Sequence, residues 1–522
     1  MSILNNSPPL LSNTVWRERR AFAYYFQYAA ASIGGGLDLD FWSSIVPQVC
    51  RSEPAVWDAM VSISSLFESP DPCPDLASLR RDHSRTFNQN QQDALDWYSR
   101  SVSAVRQGIE RGTVDNFVGL ITCILFICIE ALLGNMEEAI HLYGQGVHLI
   151  LALRSQNACK AMTATKTSLL KDTIIPIFVR LGAVTLNSGA LVSALLRETG
   201  PVVTQEFVSL KSAREAIVIL LIEISLFELA CEEYLIKSHA GYISQEMMNQ
   251  RRTLSARLRG WHTAFTNLMG SLCTKDPVQV STGALLLSYH EMLFIILGVC
   301  ISPARITTDA YIHNFQTIAE QSRIALSGSA RHDGTQPPFT FELSVGLPIW
   351  FTCVRCREPT IRRTALALLR QAHQVEGLQK REHGVTMSER IMMFEEIYGM
   401  AMTTDFTTAE AKNASIKYQS YCQGISDPSS PFGMDFKLGA SPDSALAEIT
   451  GTSAAVGIPG EARIKPLGVF RPRDGYPPGT TEEDIAKLSR SRDQAFLHFS
   501  RNEHDPSTNT WHTIYGYIPI DF

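Results

Sequence analysis

The sequence predicts an all-α fold of stacked antiparallel helical hairpins, with a small C-terminal β appendage. Three observations predict it. Apolar residues recur at three- and four-residue spacing over most of the chain. A two-residue break, Gly134-Asn135, separates two such stretches and leaves room only for an antiparallel return. From Ala462 onward the pattern changes to short β-branched and aromatic runs between polar segments.

The first amphipathic face is Phe22, Tyr25, Phe26 and Ala29. Pro54 opens a helix with the stripe Val56, Met60, Ile63 and Phe67, proline being suited to a first helical turn. Pro70-Asp-Pro-Cys-Pro74 reads as a loop. Leu95, Tyr98, Val102, Val105 and Ile109 form the next stripe. Asp115–Leu133 is apolar nearly all round, which predicts a central helix with Leu125 and Phe126 in the core. Gly134-Asn135 stops it, and Met136, Ile140, Tyr143, Val147 and Ile150 continue on a second helix, so the two form an αα-hairpin. Ala94, Tyr98 and Val102 echo Ala139, Tyr143 and Val147, a single echo of helical-repeat length. Later stripes are Leu254, Leu258, Trp261, Phe265 and Leu268; then Ile361, Ala365, Leu368 and Ala372; then Met387, Ile391, Phe394 and Tyr398. Strands are expected at Ala462–Val469, Ala495–Ser500 and Trp511–Ile518, with Asn502–Asn509 as a polar loop. These readings divide the chain into a helical domain over 1–423, a Ser-, Pro-, Gly- and Ala-rich flexible linker over 424–460, and a β-rich appendage over 461–522.

The composition sets limits. The chain has 522 residues, of which 45% are hydrophobic, so a sizeable core is available. The formal net charge is -6, whereas a surface that holds DNA by itself is usually basic. The opening Met1–Leu10 lacks a charged leader with a long apolar run, so no secretory signal is expected. Leu120–Leu133 and Met292–Ile301 are short for a bilayer span, and glutamates interrupt Ala216–Ile236, so all three are expected to be buried helices and no membrane partner is expected. The 11 cysteines are scattered, several inside apolar runs, which suits reduced thiols in a nuclear or cytoplasmic protein.

No catalytic residue, cofactor-binding residue or metal ligand is predicted. There is no phosphate-binding glycine loop, nucleophile elbow or His-Glu-x-x-His helix. Gly144-Gln-Gly146 lies inside a helical stripe with no preceding strand, which argues against a nucleotide site. Cys353-Val-Arg-Cys356 lacks the second pair a zinc site needs and reads as two core-facing thiols. His141 and His148 share a helix face but have no carboxylate pattern beside them. Arg251-Arg252 reads as a solvated helix face or a partner for a nearby Glu, and Trp16-Arg-Glu-Arg-Arg20 as the opening of an amphipathic helix rather than a base-stacking patch. Arg355, Arg357, Arg362 and Arg363 crowd around Glu358-Pro359. An anion-binding patch is one reading; the favoured one is that they tie a turn together through Glu376 or helix-end carbonyls.

Four phrases, in order, resemble the fungal-specific transcription factor regulatory domain, the helical region that follows the binuclear zinc cluster of many fungal regulators. They are Glu18–Phe26 continuing to Asp40-Phe41-Trp42 and Ser52–Val56; Ala94–Val102 with Leu125–Glu130, Leu133–Asn135 and His148–Ile150; Arg355–Pro359 with Arg362-Arg363, Ala365, Leu368-Leu369 and Glu376-Gly377; and Ile458–Ile464. The resemblance implies an all-α module in the nucleus acting on transcription, and no catalytic residues. Such regulators usually begin with a six-cysteine cluster. Here Cys50 and Cys73, the first two cysteines, cannot build one, so the zinc cluster is expected to be absent and DNA to be reached only indirectly.

The expected function is therefore a regulator's effector module, not an enzyme. Its expected partners are the transcription machinery or other regulators, with a small-molecule effector and a homodimer left open. The alternative is an accessory protein or enzyme of fungal secondary metabolism that reuses the fold.

Overall fold

The computed structural model describes residues 9–69, 88–113, 115–155, 164–184, 189–197, 206–238, 243–272, 276–302, 305–331, 333–403, 458–505, 507–508 and 510–520. The expected loop Pro70–Pro74 and residues 424–457 of the expected linker lie outside them. The chain is mostly helical, with a small three-stranded antiparallel sheet near its C-terminus, as the periodicity predicts.

Helix α1 (Pro9–Tyr24) runs through a π turn, Tyr25–Ala29, into α2 (Ala30–Gly34). A second π turn, Phe41–Ile45, leads into α3 (Val46–Cys50). The first π turn corrects one expectation. Tyr25 and Ala29 are buried as read, but Phe26 is 42% exposed, because a π turn inserts residues out of step with the 3.6-residue period. Helix α4 (Pro54–Glu68) buries its whole expected stripe.

Helix α5 (Gln89–Glu110) starts with a capping box in which Asn88 and Gln91 satisfy each other's backbone amides. Its deepest face is Gln91, Ala94, Trp97 and Ser101. The expected residues Leu95, Tyr98, Val102 and Val105 are half-buried and Ile109 is exposed. Beside Trp97, which packs on Val61 of α4, small and hydroxyl residues carry much of that face. Ser62 of α4 donates to the Ala94 carbonyl at 2.8 Å and Ser65 to that of Asn90 at 2.9 Å, while Ser101 donates to the Ala55 carbonyl at 2.6 Å. A search for large apolar residues reads past such an interface.

Helix α6 (Asn116–Leu132), capped by Asp115, is the central helix, with Leu125 and Phe126 buried. It ends in a Schellman motif. Gly134 has φ 84°, its N–H reaches the Ala131 carbonyl, and the Asn135 N–H reaches that of Glu130. The return helix α7 (Met136–Ser155) packs on α6 and completes the hairpin. Two short helices follow, α8 (Ala164–Leu169) and, after a π turn, α9 (Ile175–Ala183), then α10 (Gly189–Leu196).

Four helices follow, α11 (Leu210–Ser238), α12 (Gln245–Ser271), α13 (Pro277–Val299) and α14 (Ile312–Ser329). Helix α13 is longer than the apolar run Met292–Ile301 implied. At 23 residues it is the one described helix long and apolar enough to cross a membrane, and 67% of its most apolar stretch is buried inside the fold. Its contacts are those of a core helix between α11, α12 and α14.

Beyond α14, strand β1 (Phe339–Thr340) pairs parallel with β2 (Val375–Glu376), which pairs antiparallel with β3 (Gln379–Lys380). Sequence periodicity cannot register strands this short. The Phe341 N–H continues the link to the Ile33 carbonyl of α2 at 2.9 Å, joining the first and later thirds of the chain. Helices α15 (Gly346–Arg355), α16 (Pro359–Gln371) and α17 (Arg381–Thr403) surround this seam.

The C-terminal sheet is a meander of β4 (Ile464–Phe470), β5 (Ala495–Asp505) and β6 (Thr510–Ile520), with the unexpected helix α18 (Glu482–Leu488) between β4 and β5. The reading of Asn502–Asn509 as a loop is corrected. Asn502–Asp505 pair with Thr513–Thr510 in the β5–β6 ladder. Backbone pairing continues through polar side chains because this end of the hairpin is not buried. The sheet packs back on the helices, with Ile464, Leu497, Phe499 and Ile518 against Ile391 and Phe394 of α17.

Candidate functional site

Apolar packing accounts for most of the interior, so the buried charges and polar clusters are the places to look for chemistry. The first cluster joins three distant parts of the chain. Asp38, after α2, is flanked by Arg180 of α9 and Arg214 of α11, all almost completely buried. Arg214 reaches Asp38 at 3.1 Å and Glu215 at 2.6 Å, and also pairs with Glu342 beyond β1. Arg180 pairs with Asp38 and reaches Glu215 at 3.0 Å. Burial would raise the Asp38 carboxyl, but the guanidinium groups of Arg180 and Arg214 overcome it and hold the pKa at about 2. Three carboxylates facing Arg180, Arg214 and Lys211 leave this cluster near charge balance.

Beside it lies a cavity of about 20 Å³ bordered by Arg180, Tyr289, Glu342, Ser344, Glu376 and Gln379. That is room for one water-sized molecule. On its wall Ser344 donates to Glu376 at 2.8 Å and lies 3.1 Å from His373 Nδ1. A hydrolytic triad places the imidazole between serine and acid. Here the serine stands in the middle and its hydroxyl proton is directed at the carboxylate. The other Glu376 oxygen accepts the Gly346 N–H at 3.0 Å, at the N-terminus of α15, where negative charge is favoured. The cluster therefore holds the turn between β1 and α15.

The second ionic cluster contains the arginines singled out in the sequence. Arg362 donates through Nε to the Cys353 carbonyl at 2.7 Å and through Nη2 to Glu395 of α17, also at 2.7 Å. Arg357 pairs with the other Glu395 oxygen, which also accepts the Ile464 N–H at 2.8 Å. Arg355 pairs with Glu228 of α11 at 2.9 Å, and Arg363 lies 3.4 Å from Glu396. The four guanidinium groups thus go to three carboxylates, Arg357 and Arg362 sharing Glu395, and tie elements together. The expected acid, Glu376, is not among them, because Ser344 and Gly346 occupy its oxygens. Burial lowers the Arg357 pKa to about 10, opposed by Glu395. Burial also works against the Glu395 charge, but Arg357 and Arg362 pull its pKa below the ordinary value. Arg463 completes the arrangement with a two-toothed contact to Asp309, both at 2.7 Å, and with bonds to the Ile458 carbonyl.

The remaining sequence candidates fall into place. Cys353 and Cys356 are both buried, and burial pushes their thiols up to about 12 and about 11, the behaviour of core thiols. His141 and His148 are exposed, and His141 contacts Gln145. Gly146 is explained by packing. A Cβ there would lie 2.4 Å from the Phe178 ring, whereas one at Gly144 would meet nothing nearer than 3.9 Å. Arg251 donates to the Leu297 carbonyl at 2.7 Å. Within Trp16–Arg20, Arg17 pairs with Asp93 and Arg20 with Glu68, and Arg20 lies over the exposed Trp16 ring. No group of three or more His, Cys, Asp or Glu that could hold a metal ion occurs among the described residues.

Sequence reasoning missed the Asp38–Arg180–Arg214 cluster altogether, since its members are more than a hundred residues apart in places; the one signal was Arg180, a charge inside the apolar run Ile174–Val184. Glu395 left a signal. It stands four residues after Ile391 and next to Phe394, a carboxylate on the apolar face of α17 that requires a cationic partner.

Comparison with protein-family models, with curated proteins and with solved structures found no match.

Proposed function

We propose that this chain is the effector module of a transcription regulator of the fungal zinc-cluster type, acting in the nucleus through protein contacts and reaching DNA through a partner. One observation carries the reading. The third and fourth phrases of the resemblance meet at one buried point: Arg357 and Arg362 come from one phrase, Ile464 from the other, and all three bind Glu395. The meeting of two separated phrases at one tie supports reading them as parts of one fold pattern. The charge distribution also favours the reading. The overall balance is acidic, and the crowded arginines of Arg355–Arg363 are engaged by carboxylates instead of forming a stripe for phosphates.

The test is to fuse the full chain to an unrelated DNA-binding domain and place that domain's site upstream of a reporter. A reproducible rise or fall in reporter transcription, absent with the DNA-binding domain alone, is the expected result. A folded, nuclear fusion with no effect on transcription overturns the reading.

A further inference from the structure

We propose that His262 and His290 form an acid-released joint between α12 and α13. With neutral imidazoles the rings pack and hold the two helices together; with both protonated they repel, and the helices part. The rings come from different helices and lie 4.5 Å apart, centroid to centroid. His290 is buried and stacks on Trp261 at 5.8 Å and Phe294 at 6.4 Å, while His262 is half-buried. Trp261 donates its Nε1–H to the Ala213 carbonyl of α11 at 2.9 Å, so the same aromatic row also anchors α12 to α11. His290 Nδ1 lies 3.0 Å from Glu291, whose other oxygen accepts the Asn314 side-chain amide of α14 at 2.6 Å.

The surrounding groups decide what a proton does here. Glu291 is in contact with His290 and can offset one imidazolium. The other neighbours add no second carboxylate. On α12 itself Arg259 stands one turn before His262 and is exposed. Helix α11 meets the row through the Ala213 carbonyl, and α14 through the uncharged Asn314, with the adjacent His313 exposed. Tyr311, the N-cap of α14, meets Phe294 edge-on at 6.0 Å, and its phenol stays neutral in acid. A second imidazolium would therefore face a like charge across a partly buried contact.

The direction of the effect follows from that geometry. Burial first, and His290 second, hold the His262 pKa below its ordinary 6.5, and Glu291 opposes them without overcoming them. Once the joint is open, His262 titrates as in free solution and binds the proton more tightly. The hold on α12 is therefore complete above about pH 6.5 and is lost as the pH falls below it. The opening is local, since the central helix α6 has no part in the aromatic row. This inference does not rest on the transcriptional reading.

The experiment is amide hydrogen exchange of the full-length chain read by mass spectrometry at about pH 7.5 and about pH 5, with rates corrected for the intrinsic effect of pH. Peptides from α12 are expected to exchange about tenfold faster, after correction, at the lower pH, while those from α6 keep their protection. The acid effect should vanish in His262→Phe, which keeps a ring that cannot be protonated, and in His262→Gln, which keeps a polar side chain. Circular dichroism checks that both variants are folded, and the wild-type comparison stands without them. Equal corrected protection of α12 at the two pH values, an equal acid gain in α6, or an acid gain retained in a folded His262 variant overturns the proposal.

Discussion

Arg362 and Glu395 meet at 2.7 Å in the interior, with 1% and 0% of their side chains exposed. Glu395 also faces Arg357, so a single carboxylate offsets two guanidinium groups and holds the first residue of β4 through the Ile464 amide. Removing one member of such a group leaves uncompensated buried charge. Glu395→Ala is expected to destabilise the chain by about 3–5 kcal/mol, read from urea unfolding. An unchanged midpoint would show that the cluster is not buried in solution.

The hairpin core gives a second expectation. Phe126 is buried in α6 and meets Tyr98 edge-on at 5.1 Å. Phe126→Ala should cost about 3–5 kcal/mol. Denaturant unfolding with an unaltered free energy would place Phe126 outside the core.

Gly144 and Gly146 separate packing from nucleotide binding. At Gly146 an added Cβ collides with the Phe178 ring, so Gly146→Ala should destabilise by about 1–3 kcal/mol. At Gly144 the space is open and the helix gains from alanine, so Gly144→Ala should be neutral or stabilising by up to about 1 kcal/mol. Thermal melts of the two variants read the contrast. Equal losses at both positions would contradict the packing explanation.

Acid stability should depend on Asp38. Its folded pKa, about 2, lies below the ordinary 3.8, so the unfolded chain binds the proton more tightly. Its contribution is complete above about pH 4 and is lost as the pH falls toward 2. In Asp38→Asn this part of the pH dependence should flatten, while stability at neutral pH also drops because Arg180 and Arg214 lose a partner. A wild-type slope retained in the variant would assign the linkage to other carboxylates.

The sequence was legible where burial is continuous and local. Val56, Met60, Ile63 and Phe67 all have no exposed surface, and the Gly134-Asn135 stop is a local backbone requirement visible in two letters. It was illegible where the third dimension decides. Much of the α4–α5 contact is made by serines bonded to carbonyls, which carry no hydropathy signal. The π turn at Tyr25–Ala29 changes the phase of a helix without any breaker residue. A tie through an acid or a helix-end carbonyl is what the sequence suggests for these arginines, and Arg362 does bond the Cys353 carbonyl, but Glu376, the acid nearest in sequence, is not used. The acid used, Glu395, comes from the next helix, and the pairing depends on how α16 and α17 pack.

The proposed function requires that the chain reach DNA through another protein. The direct measurement is a titration of the purified full-length chain against a pool of random duplex oligonucleotides at physiological salt, followed by sequencing of the bound fraction. The expected result is weak binding without sequence enrichment, with Kd in the range of about 10⁻⁴–10⁻⁶ M. An enriched site bound at about 10⁻⁸ M or tighter by the chain alone would contradict it.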